Sequence, residues 1–100
     1  MDQQFRLQGI NFEWDREKAS GNQQKHSISF QNACESFFDP FVMPLDDEFI
    51  EGEERSSVLG MTTDWQILYV VYVWRGDAIR LISARLATSH ERRLYESRAT

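Results

Sequence analysis

Hydrophobic and polar residues alternate with a period of two in some segments of the chain and with a helical period in others. Residues 10–14, INFEW, alternate apolar and polar side chains, which predicts a short strand. Asp15 is a favourable N-cap for a first helix that runs to Lys25 or His26, although Gly21 weakens this helix. The chain is therefore predicted to begin with a strand followed by a helix.

A second helix is predicted over residues 30–38, with Ser29 as its N-cap. Its end is set by Asp39 and Pro40, because the residue before a proline is disfavoured in the helical region. Five apolar side chains share one face at helical spacing: Phe30, Ala33, Cys34, Phe37 and Phe38.

The middle of the chain predicts an antiparallel sheet of about four strands. The predicted strands are residues 41–45, 56–61, 66–74 and 78–86. Pro44 makes the first of them an edge strand, since proline cannot donate to a ladder. Short turns at residues 63–64 and 75–77 separate adjacent strands, which indicates hairpins. The stripe of Phe37, Phe38, Leu68, Val70, Tyr72 and Trp74 is expected to form core.

The last helix is predicted over residues 89–98. Thr88 and Glu91 have the spacing of a capping box at its start. The order of strand, two helices, sheet and final helix gives an α+β fold class, with residues 10–98 as a single domain.

Charge is unevenly distributed along the 100 residues, which carry a net charge of −5 and have a pI near 4.9. Six acids crowd into residues 46–54: Asp46, Asp47, Glu48, Glu51, Glu53 and Glu54. From residue 75 onward the chain contains six arginines and three acidic residues, which gives this part a net charge of +3. The planar guanidinium group of arginine can form two parallel hydrogen bonds with a phosphate or a carboxylate. These arginines are either solvated charges paired with the acidic segment or a site for an anion.

Several classes of protein are disfavoured by the sequence. The N-terminus lacks the basic start and apolar run of a signal peptide, and the longest apolar run, residues 67–74, is too short to span a bilayer. The single cysteine, Cys34, excludes an internal disulfide and suits a reducing compartment, so a cytoplasmic location is expected. Cys34, His26 and His90 are too scattered for a metal site, and we expect neither a metal nor another cofactor.

Two arginines in the strand at residues 78–86 need an explanation. By strict alternation, Arg80 shares a face with Ile82 and Ala84, while Arg85 lies on the opposite face. An arginine within an apolar strand is costly unless its guanidinium finds a partner. Arg92, Arg93 and Tyr95 follow on the last helix, so several guanidiniums are predicted to surround one anion.

Four stretches together resemble the BrnT family of bacterial type II toxins. They are FEWDREKASGNQQKHSISF (12–30), GEER (52–55), VVY (70–72) and IRLISARLATSHERRLYE (79–96). The resemblance extends over residues 10–96 in the order that the family shows. Residues 1–9 look like an N-terminal extension, to which we assign no role. Ser27 stands where the family often has glycine, which suits a left-handed helix end better than serine does.

The resemblance implies a RelE-like fold and a metal-independent endoribonuclease that inhibits translation. It further implies a BrnA-type antitoxin that neutralises the toxin in a heterotetramer. In that complex the toxin is linked to DNA only indirectly, through the antitoxin. RNA is then the substrate, with or without the ribosome, and no membrane is involved.

For such a reaction we expect His26 to carry a proton, because imidazole titrates near neutrality. A histidine at a helix end also commonly caps carbonyls, which is the alternative. Arg80 and Arg85 are expected to stabilise negative charge. Tyr95 is either an acid or a packed ring, and Glu54 either orients a catalytic side chain or is surface charge. Lys25, Arg92 and Arg93 are expected to bind RNA.

Two other functions remain compatible with the sequence. The first is a non-catalytic interaction domain whose arginines dock an acidic peptide. The second is a decayed toxin that retains its fold and its partner but has lost its activity.

Overall fold

The computed structural model of the protein describes residues 1–99. The strands are β1 (Asp2–Leu7), β2 (Ile10–Asp15), β3 (Met43–Pro44), β4 (Glu48–Ile50), β5 (Glu53–Met61), β6 (Ile67–Arg75) and β7 (Ala78–Leu86). The helices are α1 (Arg16–His26), α2 (Phe30–Cys34) and α3 (Ser89–Ala99), and a 3₁₀ turn covers Glu35–Phe38. The α+β class is confirmed. None of the helices within residues 1–99 is long and apolar enough to cross a membrane.

The sheet has seven strands, so the prediction of about four was wrong. Its order is β1-β2-β7-β6-β5-β3, with β4 paired to β5. The additional strands come from two hairpins, β1–β2 and β4–β5. Their turns, Gln8–Gly9 and Glu51–Gly52, have positive φ at both positions, as tight hairpin turns require. The sheet is also not purely antiparallel, because β2 lies parallel to β7.

The residues set apart as an N-terminal extension supply β1, which pairs with β2 along its whole length, from Asp2 opposite Asp15 to Leu7 opposite Ile10. Phe5 and Leu7 pack against the core, and the Phe5 ring lies 6.0 Å from the Trp14 ring. Residues 2–7 are therefore part of the same sheet as the rest of the chain.

The predicted ends of α1 agree with the structure. The Asp15 carboxylate accepts the Lys18 N–H at 3.0 Å, and α1 ends at His26. Ser27 follows in the left-handed region with φ 59°, the conformation that glycine adopts at lower cost. Serine thus adopts here the left-handed conformation that the glycine common in the family would adopt more easily.

The second helix is shorter than predicted. Its N-cap, Ser29, accepts the Asn32 N–H at 3.0 Å, but α2 ends at Cys34 and tightens into the 3₁₀ turn. The turn is pressed against β5, where the Ser36 hydroxyl donates to the Gly60 carbonyl at 3.0 Å. A Cβ at Gly60 would lie 2.4 Å from the Ser36 carbonyl oxygen, so this close approach requires glycine. Packing against the sheet thus replaces the last α-helical turn.

The main core lies between the helices α1 and α2 and one face of the sheet. Its fully buried members include Phe12, Phe30, Cys34, Leu68 and Val70, and burial raises the pKa of the Cys34 thiol. The predicted aromatic stripe is core as far as Tyr72. Trp74 is 63% exposed, against expectation, because it lies next to the end of β6, where its ring makes an edge-to-face contact with Tyr72.

A bulge in β7 changes which side chains share a face. Val71 is opposite Ser83 and Tyr72 is opposite Leu81, so Ile82 is an extra residue in the ladder. The extra residue reverses the alternation, and Ala84 joins Leu81 in the core. The prediction that Arg80 and Arg85 lie on opposite faces was therefore wrong, since both point away from α1 and α2.

Candidate functional site

One face of strands β5, β6 and β7 is left uncovered by α1 and α2, and we call it the open face. Cross-strand pairs place Tyr69 beside Arg85, Val71 beside Ser83 and Ser57, and Val73 beside Arg80. The helix α3 covers only one end of this face, where Tyr95 packs against Leu59 and Ile67. The members of the open face are Arg55, Ser57, Tyr69, Val71, Val73, Arg80, Ser83 and Arg85.

Arg85 occupies the end of the open face next to α3. Its guanidinium donates to both carboxylate oxygens of Glu91, at 2.8 and 3.0 Å, and lies 4.2 Å from the centre of the Tyr69 ring. The Glu91 hydrogen bonds raise the pKa of Arg85, and the same bonds hold the pKa of Glu91 below its usual value. Arg85 is therefore fixed in one orientation by a carboxylate and an aromatic ring.

Glu91 also fixes the start of α3. It accepts the Thr88 N–H at 2.9 Å, while the Thr88 hydroxyl accepts the Glu91 N–H at 3.2 Å. The predicted capping box is confirmed. Because one carboxylate serves both the helix cap and Arg85, the end of β7 and the start of α3 form one rigid corner.

Arg55 lies on the open face as well, beside a cavity of about 100 Å³. Glu48, Ile50, Ser56, Ser57, Tyr69, Val71 and Ser83 line this cavity together with Arg55. The Arg55 Nε is buried without a hydrogen bond, and the nearest carboxylate oxygen belongs to Glu53, at 3.5 Å. Arg55 thus has donor capacity beside a polar cavity.

Arg55 was not among the site residues expected from the sequence, although a signal was present. Arg55 precedes the apolar part of β5 and alternates with Ser57 and Leu59, and it is an arginine in an apolar strand as Arg80 is in β7. It is also the last residue of the GEER stretch, where Glu54 was expected to act instead.

Arg80 is already bound by two carboxylates. Its guanidinium donates to both oxygens of Asp2, at 3.0 and 3.1 Å, and to Glu13 at 2.7 Å. The bond to Asp2 is the main cause of the raised pKa of Arg80. These partners come from β1 and β2, and the partner of Arg85 from α3, so neither arginine pairs with the acidic segment as the sequence suggested.

Tyr95 is buried, and its hydroxyl donates a hydrogen bond to Asp39. Asp39 also accepts the Met61 N–H at 2.8 Å and the Phe41 N–H at 3.0 Å. Burial and the neighbouring carboxylate both raise the pKa of the Tyr95 phenol, with burial the larger cause. The arrangement is that of a ring that anchors α3 to the sheet.

Glu54, Arg92 and Arg93 are exposed. Glu54 pairs in register with Phe49 in the β4–β5 hairpin, at the end of the sheet away from α3. Arg92 and Arg93 lie on α3, and neither forms an ion pair within the described part of the chain.

Lys25 and His26 lie in the last turn of α1, beside β7. The Asn22 side chain donates to the Ala84 carbonyl at 2.8 Å and accepts the Ala84 N–H at 3.0 Å, in the manner of a neighbouring strand. His26 follows Asn22 by four residues and so lies on the same side of the helix. No hydrogen bond joins His26 to Arg80 or Arg85 within residues 1–99.

The side chains of the open face are better suited to bind an anion than to coordinate a metal ion. Arg55 and several hydroxyl groups line the cavity, and Arg85 stacks on Tyr69, which is one of the lining residues. The planar guanidinium of arginine is suited to phosphate oxygens. Within residues 1–99, no group of three or more histidine, cysteine, aspartate and glutamate side chains is arranged to hold a metal ion.

Comparisons with known proteins identify the family of the chain. Residues 14–91 match the family described as the ribonuclease toxin BrnT of type II toxin-antitoxin systems. The fold is similar to the crystal structure of the Brucella abortus ribonuclease toxin BrnT, with a TM-score of 0.63 and 24% sequence identity over 76% of this chain and 94% of that one. No curated protein gave a significant match. The chain therefore belongs to the BrnT family of type II ribonuclease toxins.

Proposed function

We propose that this protein is a metal-independent endoribonuclease that cleaves RNA on the open face and thereby inhibits translation. The observation that carries the proposal is the pair Arg55 and Arg85 on one face, beside a cavity lined by hydroxyls. Membership of the BrnT family supports a ribonuclease toxin. In the same proposal the protein has a RelE-like fold and acts in the cytoplasm, and a BrnA-type antitoxin neutralises it in a heterotetramer that reaches DNA only through the antitoxin.

The proposed reaction uses the RNA 2′-hydroxyl as nucleophile. Its oxygen attacks the adjacent phosphorus, the bond from phosphorus to the 5′-oxygen breaks, and a 2′,3′-cyclic phosphate forms. Arg55 and Arg85 stabilise the negative charge that develops on the phosphoryl oxygens. His26, in the last turn of α1 beside β7, takes the 2′-hydroxyl proton while water protonates the leaving 5′-oxygen, or water takes the first proton and His26 supplies the second. Lys25, Arg92 and Arg93 are exposed cations that contact the RNA backbone.

Three residues of the catalytic set expected from the sequence have other tasks in this proposal. Arg80 holds β1 and β2 to β7 through two carboxylates, and Tyr95 anchors α3. Glu54 lies in the hairpin at the far end of the sheet. Glu91 is a positioning residue, because it presents the Arg85 fork without touching the RNA.

The test is cleavage of a labelled RNA in EDTA, with and without ribosomes, by the wild type and by Arg55→Ala, Arg85→Ala and His26→Ala. Loss of one charge-stabilising donor is expected to slow cleavage by about 10²- to 10³-fold. Arg16→Ala, which removes an exposed arginine at the start of α1, is the matched control and should cleave as the wild type does. A folded Arg85→Ala protein that cleaves at the wild-type rate would refute the proposed site.

The second candidate is a protein-binding module, or a toxin that has lost its activity. It is favoured by the pairing of Arg85 with Glu91, which already occupies two donors of the fork. Folded wild-type protein that leaves RNA intact both with and without ribosomes would support this alternative. Toxicity on expression, reversed by the product of an adjoining reading frame, would support the active toxin.

A further inference from the structure

The strands β5 and β6 separate before either of them ends. Their ladder stops at Ser56 opposite Tyr72, yet β5 begins at Glu53 and β6 continues to Arg75. Residues 53–55 pair with β4 on their other side, and residues 73–75 pair with β7. The two hairpins thus diverge, and the edges that face each other have no strand partner within residues 1–99.

A cleft of about 450 Å³ lies between the two hairpins. Its walls are formed by Gly52, Glu53, Glu54 and Ser56 on one side and by Val73, Trp74 and Arg75 on the other. Unpaired strand edges are templates for another strand. The cleft is therefore shaped for an extended polypeptide.

One exposed aromatic ring lines this cleft, and a second lies on β4, the strand next to its β5 wall. Trp74, on the β6 wall, is 63% exposed, and Phe49, which pairs in register with the wall residue Glu54, is 74% exposed. Large exposed apolar side chains that cluster on a folded protein commonly mark interaction sites. These rings offer anchors for the apolar side chains of a bound segment.

The charge around the cleft selects the chemistry of its partner. The β4–β5 hairpin and the segment before it carry six acids, and the cations beside them are Arg55, which faces Glu53 at 3.5 Å, and Arg75. This local excess of carboxylates attracts arginine and lysine side chains. The occupant is therefore a basic polypeptide.

We propose that this cleft binds an extended, basic segment of a protein partner by strand addition. Backbone groups of the segment pair with the free edges of β5 and β6, its apolar side chains contact Phe49 and Trp74, and its cations face the acids. The inference rests on the proposed function for the role of the partner, which is then the antitoxin. Because Arg55 belongs to the same part of β5, such a strand would contact the backbone that carries one of the proposed phosphate-binding arginines.

The experiment measures binding of fluorescein-labelled decapeptides by anisotropy. One peptide alternates arginine and valine, a second carries prolines at two central valines, and a third has glutamate for arginine. We expect the first to bind saturably, the proline peptide to bind at least about tenfold more weakly because proline cannot donate to a ladder, and the acidic peptide not to bind.

Protein variants locate the binding site. The double variant Phe49→Ala, Trp74→Ala should weaken binding of the arginine–valine peptide by about tenfold or more. Trp65→Ala is the matched control, since Trp65 is 81% exposed but lies in the β5–β6 loop at the other end of the sheet. Hydrogen exchange should slow at amides within residues 53–55 and 73–75 when the peptide is bound.

The proposal is overturned if wild type does not bind the arginine–valine peptide, if the proline peptide binds equally well, or if the double variant binds as wild type does. RNA cleavage is measured on the same preparations. Wild type that binds the peptide but leaves RNA intact would contradict the ribonuclease proposal alone, whereas cleavage without peptide binding would contradict the docking proposal alone.

Discussion

At the scale of single residues, the neighbouring carboxylates decide what each arginine on the open face can do. Arg80 is bound by Asp2 and Glu13, Arg85 is bound by Glu91, and the Arg55 Nε has no hydrogen bond. All three are arginines in apolar strands, so sequence alone treats them alike. Which guanidinium still has N–H groups available for a substrate becomes clear only when the carboxylate partners of each arginine are known.

The role of Tyr95 also depends on its neighbours, and a single substitution can distinguish a catalytic acid from a packed ring. Tyr95→Phe keeps the ring against Leu59 and Ile67 but removes the hydrogen bond to Asp39, which retains its bonds from Met61 and Phe41. We expect the free energy of unfolding to fall by about 1–2 kcal/mol in urea titrations. RNA cleavage should stay within about twofold of wild type. A folded variant that loses cleavage a hundredfold would instead make Tyr95 a catalytic acid.

At the scale of elements, local signals predicted where the helices begin. Asp15 and the Thr88–Glu91 capping box act within one turn of chain, so the starts of α1 and α3 agree with the sequence. The bulge at Ile82 depends on the register against β6, and the 3₁₀ turn depends on contact with Gly60. These features could not be predicted, because the residues that cause them are distant in sequence.

Two hairpins were missed for a different reason. The acidic composition of residues 46–54 indicates a solvated loop, yet Glu51–Gly52 forms a tight turn and Phe49 occupies a strand. Likewise, residues 1–9 precede the resemblance to the family, although Gln8–Gly9 is a turn signal of the same kind. In both segments the prediction followed the acidic composition or the limits of the family resemblance, although the local turn residues correctly indicated a hairpin.

The corner formed by β7 and α3 makes stability depend on pH through Glu91. Its pKa is lower in the folded protein than its ordinary value near 4.5, so the pair with Arg85 stabilises the fold above that pH and loses this effect as pH falls through the folded pKa. Glu91→Gln should lower the free energy of unfolding by about 1–2 kcal/mol at pH 7.

The difference between Glu91→Gln and wild type should shrink towards zero in urea titrations at pH values progressively below 4.5, as the pH falls through the lowered pKa of Glu91 in the folded protein. Glu96→Gln, which removes an exposed carboxylate from the same helix, controls for the change in helix charge. A difference that persists unchanged at low pH would show that the ion pair is not its source.

At the scale of the whole molecule, Arg85 and the acidic cleft lie at opposite ends of the sheet. The parallel pairing of β2 with β7 joins the first and last thirds of the chain and leaves the open face with Arg85 next to α3 and Arg55 in the β4–β5 hairpin. The acidic cleft lies at the end away from α3, between the two diverging hairpins. An acidic protein can in this way present the Arg85 guanidinium at one end of the sheet and carboxylates to a basic partner at the other, with Arg55 on the strand that belongs to both surfaces.

The sheet also predicts that residues 1–9 contribute to stability, although the family match begins only at residue 14. A chain that starts with methionine before Ile10 would lose β1, the contact of Phe5 and Leu7 with the core, and the Asp2 partner of Arg80. Burial of the two half-buried apolar side chains is worth about 2–3 kcal/mol. For a domain of this size we expect a fall in Tm of about 10–20 °C.

Asp2→Asn separates the two contributions, because it weakens the ion pair with Arg80 and keeps the strand. This variant should lower Tm far less than the truncation does, since Asp2 is exposed and its ion pair is screened by solvent. If the truncated chain melted at the wild-type temperature, residues 1–9 would be the dispensable extension that the family boundary suggests. If truncation and Asp2→Asn lowered Tm equally, the ion pair rather than the packing of β1 would hold the N-terminus to the sheet.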